Sequence, residues 1–252
     1  MVKAVTEALP NEEVIYFGDT ARVPYGIKSP DTVRRYALEI TDFLLSKKVK
    51  MILIACNTVS ATARRAIVKR AYPVPVLDVI TAGVSSALEV PANSNQLAVI
   101  GTLATIGSKA YQKMLKHQRK DAVVHAKACP LLVPLAEEGW IDHPVAHETL
   151  KEYLSVFNDK AIDSLILGCT HYPLFKKAIR KTLGEKQTQI IDSADAIAKM
   201  ARISLGEIEL LNGSEHVSFQ FYVSDRPQRF KELAQRFLGR KMPPVSIINL
   251  DN

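Results

Sequence analysis

The fold class is indicated most clearly by residues 51–58, Met-Ile-Leu-Ile-Ala-Cys-Asn-Thr, in which an apolar run ends at a cysteine and two polar residues follow. A short, continuously apolar run is typical of a buried strand in a parallel sheet, and the polar residues after it are typical of a helix start. Residues 165–171, Leu-Ile-Leu-Gly-Cys-Thr-His, repeat the pattern, with Cys169 placed 113 residues after Cys56. The repetition indicates two related α/β halves.

Short apolar runs alternate with amphipathic segments along the rest of the chain. We predict strands at residues 14–19, 51–57, 74–80, 97–102, 123–127, 165–170, 189–192 and 217–223. We predict one helix after the start signal at residues 29–31 and others at residues 58–71, 108–118, 144–157, 174–183 and 226–238. This alternation predicts an α/β fold in which each mostly parallel sheet is flanked by helices.

The organisation into domains is predicted from a change of composition at residues 91–95, Pro-Ala-Asn-Ser-Asn, which interrupts the strand–helix alternation. We expect a discontinuous first α/β domain of residues 1–80 and 190–252, and a similar second domain of residues 81–189. Ligands of parallel sheets bind at the carboxyl ends of the strands, so we expect the active site in the cleft between the two domains.

The composition excludes several classes of protein. The chain has 252 residues, 47% of them hydrophobic, and a formal net charge of +7, which is ordinary for a globular protein. Its basic residues occur as scattered pairs without a groove-reading motif, so we expect no nucleic-acid partner. Its apolar runs are too short to cross a membrane and its start lacks a signal-peptide core, so we expect no membrane association. Three cysteines are too few for a disulfide framework, which favours a cytoplasmic location.

Cys56 and Cys169 are the candidate chemical groups. A thiol at a helix N-terminus lies beside unpaired backbone N–H groups, and we expect this setting to lower its pKa. The structural alternative is that both cysteines only fill buried strand ends, but two matching contexts disfavour it. Zinc binding is disfavoured because the chain has no C-x-x-C motif. Two thiols facing each other across a crevice suit racemisation or epimerisation without a metal, one removing a proton and the other supplying one.

Three stretches carry a resemblance to a known family. They are residues 16–26 (YFGDTARVPYG), 55–58 (ACNT) and 167–173 (LGCTHYP), with weaker matches at 101–105 (GTLAT) and 129–131 (CPL). In this order they resemble the glutamate racemases of the cofactor-independent aspartate/glutamate racemase superfamily. The resemblance covers residues 2–238.

The resemblance implies a role for individual residues. Cys56 and Cys169 match the two catalytic cysteines, the first acting on the D-enantiomer and the second on L-glutamate. Asp19 and His171 match polar residues that assist the thiols, and either Glu137 or Glu138 matches a further assisting carboxylate. The matching substrate-binding residues are Tyr25, Gly26, Asn57, Thr58, Thr102, Thr105, Thr170 and His171. Cys129 has no role in this scheme.

The resemblance also implies a function. It is the interconversion of L- and D-glutamate, without cofactor or metal, to supply D-glutamate for peptidoglycan. The expected partner is the small-molecule substrate, and a homodimer is compatible with the sequence. Two alternatives stay open: a racemase for a related acidic amino acid such as aspartate, and a truncated protein that binds an acidic macromolecule without catalysis.

The chain departs from the family pattern at its start. The family opens with a β-strand ending in an Asp-Ser pair, whereas residues 1–9 already have the pattern of the following helix. The absent strand is a central one, so its neighbours would lose a ladder partner, and the Asp-Ser pair would be missing from the site. We therefore expect this polypeptide to fold poorly or to catalyse weakly, and a wrongly assigned start or a truncation to be the cause.

Overall fold

The computed structural model describes residues 1–184, 187–214, 217–239 and 241–250, without the side chains of residues 236 and 237. Its strands are β1 (Val14–Gly18), β2 (Ile52–Ile54), β3 (Val76–Asp78), β4 (Gln96–Gly101), β5 (Val123–Ala128), β6 (Ser164–Gly168), β7 (Gln189–Ile191), β8 (Phe219–Val223) and β9 (Val245–Ile247). Its helices are α1 (Val2–Ala8), α2 (Pro30–Ser46), α3 (Asn57–Ala71), α4 (Val79–Glu89), α5 (Leu103–Gly107), α6 (Ala110–Gln118), α7 (Leu132–Glu137), α8 (Pro144–Leu154), α9 (Lys176–Leu183), α10 (Ser193–Glu207) and α11 (Pro227–Leu238). Short 3-10 turns occupy Tyr25–Ile27, Ser155–Phe157 and Tyr172–Phe175.

The strands form three sheets within the described residues, and every strand pair is parallel. One sheet has four strands in the order β5-β4-β6-β7, another has three in the order β1-β8-β9, and β2 pairs with β3. The register of the four-stranded sheet sets Gly101 of β4 beside Gly168 of β6. Parallel sheets need helices on both faces, and the chain supplies one between most consecutive strands. The predicted α/β class with mostly parallel sheets is confirmed.

The core is built on the two inner strands of the four-stranded sheet. Alternate residues of β4 face opposite sides: Ala98 and Ile100 pack with α7, α8 and α9, whereas Leu97 and Val99 pack with α4 and α6. All four side chains are fully buried. This alternation is the period of two that an extended strand imposes, and it explains why the sequence is apolar without interruption.

The eight predicted strands are present, with shorter or shifted ends. The strand β9 was not predicted, because it has three residues and two of them are exposed. The boundary expected after residue 189 falls inside β7, which begins at Gln189 and pairs with β6.

Several helices were missed or merged by the sequence interpretation. The helix α4 is apolar nearly all round because it packs against α10 on one side and against β6 and α6 on the other, so it shows little polar periodicity. The helix α10 was overlooked despite the Asp192 cap, whose side chain accepts a hydrogen bond from the backbone N–H of Ala194 at 2.9 Å. The helix predicted at residues 108–118 is α6, whereas α5 before it was not predicted; Lys109 adopts a left-handed conformation (φ 57°) between the two.

The carboxyl ends of four strands meet at one place. Asp19 follows β1, Cys56 follows β2 closely, Thr102 follows β4 and Cys169 follows β6, and all four residues line the same cavity. The fold thus brings together polar side chains that lie far apart in the sequence.

Candidate active site

The candidate site is part of a cavity of about 770 Å³. Both predicted catalytic cysteines line it. The other predicted site residues on its wall are Asp19, Tyr25, Gly26, Asn57, Thr58, Thr102, Glu137, Thr170 and His171. Cys56 and Cys169, which follow strands of different sheets, therefore line the same cavity.

Cys56 is the cap residue of α3 and is half-buried. Its backbone carbonyl accepts hydrogen bonds from the N–H and the hydroxyl of Ser60, both at 2.9 Å, which fixes the start of the helix. Burial raises the pKa of the Cys56 thiol above its ordinary value, while backbone N–H groups of Val59 and Thr58 and the Thr58 hydroxyl act in the opposite direction. The thiol is therefore protonated at neutral pH but is surrounded by donors that stabilise its thiolate.

Cys169 lies at the end of β6 and is 7% exposed. Burial raises the pKa of its thiol to about 12, and the nearby Cys56 and Glu137 add to the rise, against the backbone N–H groups of His171 and Tyr172. Its Sγ lies 3.9 Å from Nδ1 of His171. The imidazole is thus the polar side chain in direct contact with this thiol.

The expectation that the helix N-termini lower the thiol pKa values is wrong for this structure. The backbone N–H groups at both cysteines do favour the thiolates, as expected. Removal of the sulfur atoms from water has the larger effect and raises both pKa values. A sequence pattern shows that a cysteine precedes a helix, but it does not show how deeply the sulfur is buried.

Glu137 pairs with His171 across the cavity wall. Its Oε1 lies 3.4 Å from Nε2 of His171, and a hydrogen bond from this imidazole lowers the pKa of the carboxyl group. Glu138 is exposed and does not line the cavity. The two adjacent acidic residues, between which the sequence could not choose, therefore differ in position. Glu137 contacts His171, and His171 contacts Cys169.

Asp19 holds the loop that follows β1. Its carboxylate accepts hydrogen bonds from Nε of Arg22 at 2.8 Å, from Oγ of Ser224 at 2.8 Å and from the hydroxyl of Tyr25. Arg22 also donates to Glu39, and its guanidinium lies 4.1 Å from the centre of the Tyr36 ring. These bonds fix the turn Tyr25–Ile27 against the cavity.

Gly26 packs closely against Thr102. A Cβ atom at this position would lie 3.0 Å from Cβ of Thr102, closer than side chains normally approach. The lack of a side chain at Gly26 therefore lets this backbone lie close to Thr102.

Three threonines form a hydroxyl cluster beside the cysteines. The Oγ1 of Thr102 lies 3.0 Å from that of Thr105 and 3.3 Å from that of Thr58. Thr105 is fully buried and is not part of the cavity wall, in contrast to the expectation that it lines the site. Thr105 lies behind Thr102. The Thr102 side chain caps α5 by accepting a hydrogen bond from the backbone N–H of Thr105.

Sequence reasoning missed three supporting residues: Arg22, Ser224 and Tyr111. The Tyr111 hydroxyl donates to Oδ1 of the buried Asn57 at 2.6 Å. Arg22 lies inside the matched stretch of residues 16–26, but no role was predicted for it. Ser224 and Tyr111 lie 205 and 54 residues from their partners, and nothing in the local sequence marks them.

Residues set aside in the sequence occupy other places. Cys129 is fully buried in the core, packed with Leu132 and Ala136. Trp140 is 44% exposed and stacks on His143, whose Nδ1 accepts a hydrogen bond from the N–H of Val145 at the start of α8. In the described ranges no group of three or more His, Cys, Asp or Glu residues is arranged to hold a metal ion.

None of the helices in the described parts of the chain has the length and apolar character needed to span a membrane.

Comparison with known proteins agrees with this geometry. The family model for Asp/Glu/hydantoin racemase matches residues 1–201. Glutamate racemases of Chlorobaculum tepidum and Syntrophus aciditrophicus are 47% and 45% identical, each over 99% of this chain and 92% of the relative. The crystal structure of glutamate racemase from Francisella tularensis in complex with D-glutamate is 42% identical and has a TM-score of 0.93, over 99% of this chain and 92% of that one. The chain therefore belongs to the Asp/Glu/hydantoin racemase family.

Proposed function

We propose that the protein is a glutamate racemase that interconverts L- and D-glutamate with two thiols and no cofactor. The observation that carries the proposal is the presence of Cys56 and Cys169 on one cavity, each beside backbone N–H groups that stabilise a thiolate. The similarity to racemases whose substrate is glutamate supports the choice of substrate.

The proposed reaction conserves protons in each turnover. One cysteine, as thiolate, takes the proton from Cα of glutamate, and the electron pair of that C–H bond stays on the substrate as a planar carbanion. The other cysteine, as thiol, gives its proton to the opposite face of Cα, which inverts the configuration. We assign Cys169 as the base for L-glutamate and Cys56 as the base for D-glutamate.

The raised thiol pKa values fit this scheme. Burial disfavours a charge on either sulfur and raises the pKa of both thiols, so both hold their protons. An approaching ammonium group supplies a positive charge, which lowers the pKa of a nearby thiol. We infer that substrate binding itself promotes formation of the thiolate that attacks.

The proposed substrate contacts use the polar wall between the cysteines. The hydroxyl groups of Thr58, Thr102 and Thr170 and the amide of Asn57 are suited to the two carboxylates and the amino group of glutamate. The backbone at Gly26 completes this wall. Rates measured with L-glutamate and L-aspartate in parallel test the substrate assignment, and a higher kcat/KM for aspartate would contradict it.

The proposed setting is the cytoplasm, where thiols stay reduced and D-glutamate is used for peptidoglycan.

A pair of neighbouring substitutions tests the role of Glu137. We expect Glu137→Gln to lower kcat about tenfold for L-glutamate, because the His171 imidazole loses its carboxylate partner beside Cys169. The same change at exposed Glu138 is the control and is expected to leave kcat unchanged. Initial rates with both enantiomers provide the measurement; equal effects of the two substitutions would exclude the assisting role.

A second pair of substitutions tests the loop anchored by Asp19. We expect Arg22→Lys to raise KM about tenfold with little change in kcat, because one ammonium group cannot bond both Asp19 and Glu39 as the guanidinium does. Arg34→Lys is the control, since Arg34 forms only an exposed ion pair with Asp31. An unchanged KM for Arg22→Lys would show that the loop does not depend on this anchor.

A further inference from the structure

One tyrosine reaches the candidate site from behind the cavity wall. Tyr111, in the first turn of α6, is fully buried and does not itself line the cavity. Its hydroxyl donates a hydrogen bond to Oδ1 of Asn57 at 2.6 Å. Asn57 directly follows Cys56, begins α3 and does line the cavity. The phenol of Tyr111 is thus connected to the cavity through the amide of Asn57.

Close packing fixes the position of the Tyr111 ring. The ring belongs to the core cluster that contains Leu97, Val99 and Ile166 of the four-stranded sheet. A Cβ atom at Gly168 would lie 3.2 Å from Cε2 of Tyr111, so the edge of the ring lies directly against the end of β6. A fully buried and closely packed side chain keeps one rotamer, and its polar end then has a defined place.

The Tyr111 hydroxyl acts as a donor in its bond to Asn57. Burial raises the pKa of the Tyr111 phenol well above its usual range, and the nearby Asp78 and Cys169 add to the rise. The phenol therefore holds its proton at neutral pH. A carbonyl oxygen can only accept a hydrogen bond, so this bond determines which end of the Asn57 amide faces the tyrosine.

The other end of the Asn57 amide is open to the cavity. Within the described part of the chain Nδ2 of Asn57 makes no hydrogen bond, and this atom is not fully buried. Since Asn57 lines the cavity, its NH2 group has access to that space. An amide NH2 group can only donate, so it suits a carboxylate oxygen of a substrate and does not suit an ammonium group.

We infer that Tyr111 is a positioning residue, whose hydroxyl holds the Asn57 amide with its NH2 group directed into the cavity. The inference rests on the proposed function, because the role of Tyr111 is to prepare a binding group for the substrate of that reaction. Tyr111→Phe keeps the ring but removes the hydrogen bond. The Asn57 oxygen then loses its partner, and the amide can turn over so that its oxygen and nitrogen exchange places.

The test measures binding of glutamate both with and without turnover. KM and kcat are measured in the parent chain, and the dissociation constant of labelled D-glutamate is measured by equilibrium dialysis in a form that carries both Cys56→Ala and Cys169→Ala. Tyr111→Phe is introduced into both. The matched control is Thr188→Val, which removes another buried hydroxyl, one that donates to the carbonyl of Ile162 at 2.9 Å and does not line the cavity. Thermal unfolding compares the stability of the two variants.

We expect Tyr111→Phe to raise the dissociation constant and KM about tenfold and to change kcat less than about twofold, whereas Thr188→Val should leave all three unchanged. A double-mutant cycle shows whether the effect passes through the amide: after Asn57→Ala, adding Tyr111→Phe should weaken binding less than about twofold.

An unchanged dissociation constant for Tyr111→Phe would overturn the inference. Equal weakening by Thr188→Val would also overturn it, because the effect would then come from lost stability. A further tenfold weakening in the Asn57→Ala background would overturn it as well, because Tyr111 would then not act through Asn57. The proposed function is tested separately by racemisation in the parent chain, so that either idea can fail without the other.

Discussion

Replacement of Cys56 or of Cys169 by alanine is expected to lower the rate of glutamate racemisation by about a thousandfold or more. Each substitution removes one of the two groups that exchange a proton with Cα, so inversion cannot be completed from either enantiomer. Both thiols line the cavity, and among the described residues no third cysteine lines it. The two single variants should therefore be about equally impaired.

The matched control is Cys129→Ala, which removes the third thiol of the chain from the core. This variant should be less stable by about 1 kcal/mol but should keep kcat when assayed well below its Tm. Racemisation is followed by circular dichroism from both enantiomers. Full racemisation by either the Cys56→Ala or the Cys169→Ala protein would refute the two-thiol scheme.

Gly168→Ala is expected to destabilise the fold by about 2 kcal/mol and to reduce kcat/KM more than tenfold. A Cβ atom at this position would lie 2.7 Å from the backbone oxygen of Ile100, so β4 and β6 must move apart. The displaced strand end carries Cys169, and small misplacement of a reacting group has a large effect on rate. Chemical unfolding and steady-state kinetics measure the two effects.

Gly206→Ala in α10 serves as the opposite case. The added methyl group would find only an ordinary contact at 3.6 Å, and alanine favours a helix over glycine. This variant should be as stable as the parent or more stable by about 0.5–1 kcal/mol, with unchanged kinetics. If both glycine variants behaved alike, the close packing at Gly168 would not be what positions Cys169.

The fold class could be predicted because its signals are local. Continuous apolar runs such as that of β6 and polar residues after the run of β2 indicate buried parallel strands followed by helices. Helix α4 was not predicted because its environment is apolar on nearly all sides, which is a property of the packed structure. Strand β9 is too short and exposed to produce a pattern.

The sequence predicted which side chains form the candidate site, but it did not predict the residues that hold them in place. Cys56, Cys169 and Asp19 each follow a strand of a parallel sheet, which is where such sheets bind ligands, although the three strands belong to three different sheets. The contacts of Ser224 with Asp19 and of Tyr111 with Asn57 join distant segments and could not be anticipated. The raised pKa values of the thiols likewise depend on burial, which is set by the tertiary structure.

The most direct test of the two-thiol proposal follows deuterium at Cα during the first few per cent of the reaction in D2O. Each cysteine carries a single exchangeable proton, so the proton that one thiolate removes is not the one that the other thiol delivers. Starting from L-glutamate, we predict that the D-glutamate formed carries solvent deuterium while the remaining L-glutamate carries none, and that the converse holds from D-glutamate. Transfer of the original proton into the product would contradict the proposal, because a single base would then serve both faces.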